Sequence, residues 1–267
     1  MGQAGRWLRG AVAGWALAIV PAWAAGAPHL GPLLPGEGLV LYAGEATPMA
    51  LGEVKTVTPM GELARVLWLK LLGDDWSIQD LRYQCSGGDT PFPCGGPKGH
   101  GKVDLEGAFR KGCDRAFLAW SQYSMAQWRQ EEGGSVARLQ LLDTFAPFLG
   151  NRLPPGNDLP PITPPWIGRG ELLQTSPADL AAWLEDPLQM ELLTTLPRFC
   201  SGYFVDVKVL LGKEGWWILP ATAPAPGGGT RAWVLAGRGD VLVVLRLPAG
   251  RGEVEGLARL KAILEMK

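Results

Sequence analysis

Apolar positions recur with two different periods along this chain, and the change of period divides it into three stretches. Leu39-Val40-Leu41-Tyr42-Ala43 is an unbroken run of strand length with Gly38 and Gly44 at its ends, which predicts a short buried strand. From Met60 the spacing turns helical. Met60, Leu63, Ala64, Leu67, Trp68 and Leu71 fall on an i, i+3, i+4, i+7, i+8, i+11 stripe that Leu69 and Leu72 widen, so this helix is expected to be buried on most sides. Thr58 is its expected N-cap, Pro59 its first helical position, and Gly73-Asp74-Asp75 its end. Two more helical stretches follow, 116–130 and 136–148, with a polar break at Glu131–Ser135 between them. Ser176-Pro177 with Asp179 three residues after the cap opens another helix, and Asp186-Pro187 repeats the device. From Tyr203 the period becomes that of strands, over 203–211, 215–219, 231–236 and 241–247, separated by glycine-rich turns. Residues 253–266 close the chain as an amphipathic helix.

Two stretches have neither period. Residues 84–101 combine glycine, proline and two cysteines and predict a structured loop. Residues 150–168 are proline-rich, yet Leu153, Leu159, Ile162 and Trp166 argue for a crossing packed on the surface rather than a disordered linker. The order is one strand, an all-helical middle, a set of antiparallel strands and a last helix. It predicts an α+β fold: an antiparallel sheet whose first strand comes from the N-terminal part, a helical middle section, and helices on the sheet's faces.

The chain start refines this picture. Arg6 and Arg9 precede an apolar run from Ala11 to Val20 and an Ala22-Trp23-Ala24 site, so residues 1–25 read as a secretory signal. The alternative, an uncleaved membrane anchor, meets a run shorter than about 20 residues that Pro21 interrupts. The expected division is a signal at 1–25, an extended Gly/Pro-rich lead-in at 26–36, and one domain over 37–267, working in the periplasm or outside the cell. With 47% hydrophobic residues, 267 residues are enough for one large core.

Charge narrows the partners. Twenty-five basic residues face 26 acidic ones with no long block of either sign, which argues against nucleic acid. Only His29 and His100 are available for imidazole chemistry, so a histidine-based zinc hydrolase or a nucleophile–His–carboxylate triad is not expected. Cys85, Cys94, Cys113 and Cys200 permit two disulfides in three connectivities, with Cys85–Cys94 across the Gly/Pro loop the expected pair. Their spacing is not the close, paired pattern of a metal site, so no metal and no other cofactor is expected.

Gly99-His100-Gly101 leads into an amphipathic run with Val103, Leu105, Ala108 and Phe109, then Gly112-Cys113-Asp114 and Phe117. Farther on comes Ile167-Gly168-Arg169-Gly170, followed by Thr175-Ser176-Pro177 and Ala181. These two segments, in this order, resemble the transpeptidase domain of penicillin-binding proteins and its class D β-lactamase cousins over roughly residues 37–266. The resemblance implies a serine β-lactamase/transpeptidase-like fold and three catalytic motifs. In the S-x-x-K motif a serine attacks the acyl carbonyl and a lysine one turn later takes its proton; here those positions are Gly61 and Ala64. The S-x-N motif reads Gly112-Cys113-Asp114, without the hydroxyl and with a carboxylate for the amide. The K-T-G motif, whose lysine and threonine bind the substrate carboxylate while the strand edge pairs with its backbone, is read as Lys213-Glu214-Gly215. Glu214 there would repel a substrate carboxylate by about 4 kcal/mol at roughly 4 Å and an effective dielectric near 20.

The resemblance therefore implies a preserved frame without its reactive groups: a binding or scaffolding module for peptidoglycan peptides or another cell-wall protein. Lys213, Gly215, Trp216 and Trp217 are the groove candidates on this reading. Membrane association is expected only through an uncleaved signal. Two rivals stand beside it. One is a divergent acyl-serine enzyme, a D,D-transpeptidase, carboxypeptidase or β-lactamase with a relocated nucleophile. The other is an unrelated secreted α/β binding domain. Ser121, Ser124 and Ser201 have no lysine or histidine at an activating spacing, and Cys113 beside His100 reads as a buried or bonded cysteine before it reads as a nucleophile.

Overall fold

A computed structural model describes residues 32–44, 47–73, 78, 80–88, 92, 94, 98–200 and 216–265. Its centre is a five-stranded antiparallel sheet of order β2-β1-β9-β8-β7. The strands are β1 (Gly38–Ala43), β2 (Met49–Gly52), β7 (Trp217–Pro224), β8 (Thr230–Arg238) and β9 (Val241–Arg246). The first strand thus lies between β2 and the last one, Val40 opposite both Ala50 and Val244. That closure through the chain ends is the order the resemblance implies.

Side chains alternate strictly across the sheet, and both faces are covered. Ala232, Val234, Ala236, Val243 and Leu245 face Leu257, Leu260 and Ile263 of the C-terminal helix α7 (Leu257–Glu265). Trp233, Leu235, Leu242 and Val244 face the helical middle. Burial on both sides is why these strands read as continuous apolar runs. Arg259 of α7 forks onto the buried Glu37 carboxylate just before β1, with Nε–Oε1 at 2.8 Å, and so ties the two ends of the chain together.

The helical middle contains α1 (Ala64–Gly73), α2 (Leu105–Lys111), α3 (Asp114–Glu132), α4 (Gly134–Leu149), α5 (Pro177–Leu184) and α6 (Met190–Cys200). Its core is α1, with Leu67 and Trp68 fully buried. Trp68 Nε1 donates to the Trp166 carbonyl at 2.8 Å and anchors the 150–168 crossing to the core. Ile162 and Trp166 are buried as expected, whereas Leu153 is exposed. Small strand pairs tie the loops down: β3 (Thr58–Pro59) with β6 (Gln174–Thr175), and β4 (Tyr83–Cys85) with β5 (Gly101–Val103). Among the described residues no helix is long and apolar enough to cross a membrane.

Three boundaries differ from the sequence pattern. Thr58 and Pro59 pair with β6 instead of capping α1, which begins only after a 3-10 turn over Gly61–Leu63. Strand β7 continues through Pro220 to Pro224, beyond the expected end at Leu219, because it is an edge strand that tolerates proline. Asp104 caps α2 by accepting from Gly107 N at 2.7 Å. Ser176 caps α5 as expected, accepting from Asp179 N at 3.1 Å with Pro177 at the first turn. The expected signal at 1–25 and the strand at 203–211 lie outside the described residues.

Candidate functional site

The resemblance places the reactive centre at the start of α1, against the sheet. Gly61 stands there in the left-handed region, φ +57°. A Cβ on it would penetrate the Thr222 carbonyl oxygen and the Ala223 Cα of β7. Gly168 presses from the other side, where a Cβ would overlap the Gly61 carbonyl and approach Ala64. Helix start, strand and crossing therefore touch backbone to backbone at this point. Ala64, at the lysine position, is fully buried.

A line of alternating charges occupies the space behind Gly61. Arg65, fully buried, lies 3.1 Å from Glu62 and 3.2 Å from Asp114, and its Nη1 donates to the Phe109 carbonyl. Asp114, also fully buried, accepts from Arg169 at 2.7 Å through Nε and 2.6 Å through Nη2. Two carboxylates and two guanidiniums leave no net charge, which is how ions are tolerated out of water. Burial raises the Glu62 pKa above the ordinary carboxylate value, while Arg65 opposes the shift. Asp114 is thus the hinge of an internal ion network joining α1, α3 and the segment just after the crossing. Gly112 is the left-handed residue, φ +63°, that ends α2, a role for which glycine is suited by lacking a Cβ.

The outer edge of β7 faces this helix start. Pro220, Thr222 and Pro224 share the register positions whose backbone points away from β8. Both prolines lack an N–H, and the Thr222 N–H donates to Glu62 at 3.1 Å. From 220 to 224 the edge therefore offers no amide to an incoming backbone. The Thr222 hydroxyl is engaged too, bonded to Glu253 at 2.9 Å and accepting from Gly252 N. The strand residues that stand beside Gly61 are Thr222 and Ala223, with no lysine among 221–223. Lys213, Glu214 and Gly215 lie outside the described residues, upstream of that contact. Neither tryptophan candidate stands in this region as a stacking platform. Trp217 is buried over Gly237 in the main core, and Trp216 is half-buried against the α7-side cluster.

A second constellation is one that sequence reasoning missed. Cys85 at the end of β4, Cys94, His100 before β5 and Cys113 at the start of α3 bring three sulfurs and an imidazole nitrogen within 4.8 Å of one another. His100 Nδ1 is 3.7 Å from Cys85 Sγ and 3.5 Å from Cys94 Sγ, and Cys94 Sγ is 3.9 Å from Cys113 Sγ. The expected Cys85–Cys94 disulfide is not formed; all four cysteines are free thiols. The thiols are instead gathered around the His100 ring, and the Cys94–Cys113 separation is far from the roughly 2.05 Å of a bond. The expectation of no metal rested on sequence spacing. It fails to anticipate this cluster because the ligand-type side chains come from four segments joined only by the fold. The hydrogen bond shared by Cys94 and Cys113 lowers the Cys94 pKa and raises that of Cys113. Cys200 lies apart, its thiol pushed up to about 12 by burial.

A separate cleft of about 620 Å³ opens at the far end of α1, lined by Lys70, Arg82, Asp104, Glu106 and Asp143 among others. Charges of both signs line it.

No protein-family model matches the sequence, and no curated protein is similar to it. Among solved structures the chain is similar to the class D β-lactamase BAT-2, with a TM-score of 0.51, 10% identity, and 84% of this chain and 89% of that one covered. It is similar also to a β-lactamase from Xanthomonas campestris pv. campestris, with a TM-score of 0.50, 17% identity, and 86% and 89% covered. At these identities the likeness is one of architecture, and with the sheet order above it establishes that the chain has the serine β-lactamase/transpeptidase fold.

Proposed function

We propose that this chain is a non-catalytic protein on the serine β-lactamase/transpeptidase fold, exported from the cytoplasm, which acts in the cell wall as a binding or scaffolding module. The observation that carries the reading is the backbone contact at Gly61: where the resemblance sets the attacking hydroxyl, the chain has no side chain and no room for one. Two further features support it. The buried Arg65–Asp114 pair is neutralised internally rather than left to meet a substrate, and from Pro220 to Pro224 the β7 edge has no free amide with which to hold a substrate backbone. Recognition of a peptidoglycan peptide or a cell-wall protein then uses surfaces other than the closed cleft.

The test is incubation of the folded protein with a fluorescent penicillin, followed by intact-mass analysis. No mass increase is expected. A stoichiometric adduct mapped to one residue would replace this reading by the acyl-enzyme with a relocated nucleophile.

A further inference from the structure

We propose that Cys85, Cys94, His100 and Cys113 together bind one Zn²⁺ ion as a closed, structural centre. The inference stands independently of whether the protein is catalytic.

Geometry is the first argument. Zinc takes thiolate at about 2.3 Å and imidazole at about 2.0–2.1 Å in a tetrahedron. Those lengths give sulfur–sulfur edges of about 3.8 Å and sulfur–nitrogen edges of about 3.5 Å. The measured edges are 3.9 Å between Cys94 and Cys113, 3.5 Å between Cys94 and His100, and 3.7 Å between Cys85 and His100. Three of the six edges of a coordination tetrahedron thus match, and all four ligand atoms, from four segments, lie within 4.8 Å of one another. Three sulfurs and one nitrogen are the soft donor set that selects zinc over calcium or magnesium. Since the protein supplies all four positions and the three cysteines are buried, no ligand site stays open for water, as in structural rather than catalytic zinc.

The surroundings supply the second argument. Cys113 is the residue immediately before α3, and Cys94 Sγ lies 3.9 Å from its sulfur, so the cluster sits at the first turn of that helix. Amides at a helix start favour negative charge, here the single net negative charge of a divalent ion with three thiolates. The Arg115 side chain donates to the carbonyls of Gly87, Gly88 and Phe92, which holds the chain between the first two cysteines onto α3. Lys111 donates to the His100 carbonyl at 3.2 Å and fixes the turn that carries the imidazole. The pattern in sequence is C-x₈-C-x₅-H-x₁₂-C. Bound metal would join the β4–β5 hairpin to the start of α3, much as a disulfide framework would in a chain exposed to oxidant.

The test begins with elemental analysis of the full chain purified without chelator. It continues with Co²⁺ substitution followed by visible absorption. Expected are one zinc per chain and, with cobalt, the intense d–d bands and thiolate charge-transfer band of a tetrahedral sulfur-rich site. Cys94→Ser and His100→Ala are expected to weaken cobalt binding by more than about tenfold, while Cys200→Ser, outside the cluster, keeps both stoichiometry and spectrum. Competition of the unmodified chain with a chromophoric chelator gives the affinity even where a cluster variant fails to fold. Folded protein with no metal and no tetrahedral cobalt spectrum would overturn the proposal, as would a disulfide mapped between any two of the four cluster positions.

Discussion

Gly61 shows how one residue's conformation decides more than its identity. Its missing side chain is visible in the sequence, but the positive φ and the carbonyl of Thr222 at the place of a Cβ are not. Restoring the hydroxyl by Gly61→Ser therefore does not restore the chemistry. Left-handed backbone strain on a residue with a Cβ costs about 1–2 kcal/mol, and the overlap with β7 adds to it. The variant is expected to lose about 2–4 kcal/mol in urea unfolding and still to form no penicillin adduct. Wild-type-like stability, or acylation at position 61, would show that strand and helix separate more easily than their contact indicates. Ser176 is the opposite case. Its cap on Asp179 N depends on residues three apart in the chain, so the sequence alone announced it.

Between elements, Asp114 is the joint. It holds Arg65 of α1 from the start of α3 and Arg169 from just after the crossing, with both Arg65 and Asp114 removed from water. Removing one partner leaves a buried guanidinium facing too little negative charge, so Asp114→Ala is expected to cost about 3–5 kcal/mol in chemical denaturation. The double variant Arg65→Met/Asp114→Leu is expected to be distinctly more stable than Asp114→Ala, since it removes the uncompensated charge. If the two variants unfolded alike, the network would have no role in joining these elements. Arg65 and Asp114 are 49 positions apart, and nothing in local pattern links them; the periodicity marked Met60 to Leu71 as a buried stripe but not an arginine buried alongside it. The extent of β7 was hidden for a related reason. Pro220 and Pro224 read as strand breakers, and only the strand's place at the sheet edge, a tertiary fact, makes them harmless. The cysteine–histidine cluster needed the same kind of knowledge, namely which loops meet.

For the whole molecule the sheet sets the order of stability. β8 and β9 each have hydrogen-bonded neighbours on both sides and apolar cover on both faces. Their amides are expected to exchange with deuterium only on global unfolding, and β2, a four-residue edge strand with alternating exposure, well before them. Faster exchange in β8 than in β2 would contradict this account of the core. The α+β order, with a first strand from the N-terminal part, was legible because it follows from where the hydrophobic period changes; which strand that first one pairs with does not. The two landmark segments are ordered parts of the fold: Gly99–Phe117 carries β5, α2 and the start of α3, and Ile167–Ala181 carries β6 and the first half of α5. What the chain does at its centre was less legible, because contacts there are made by backbone and by charges distant in sequence.

The outer side of β7 has one more consequence. Sheet edges with free amides are templates on which other chains assemble, and proteins commonly guard them with proline and inward-pointing charge. Two prolines and the Glu62 carboxylate guard this one. The arrangement that keeps a peptide from lying along the strand also keeps a second copy from adding to it. The same stretch of edge therefore closes this side of the sheet to ordered aggregation.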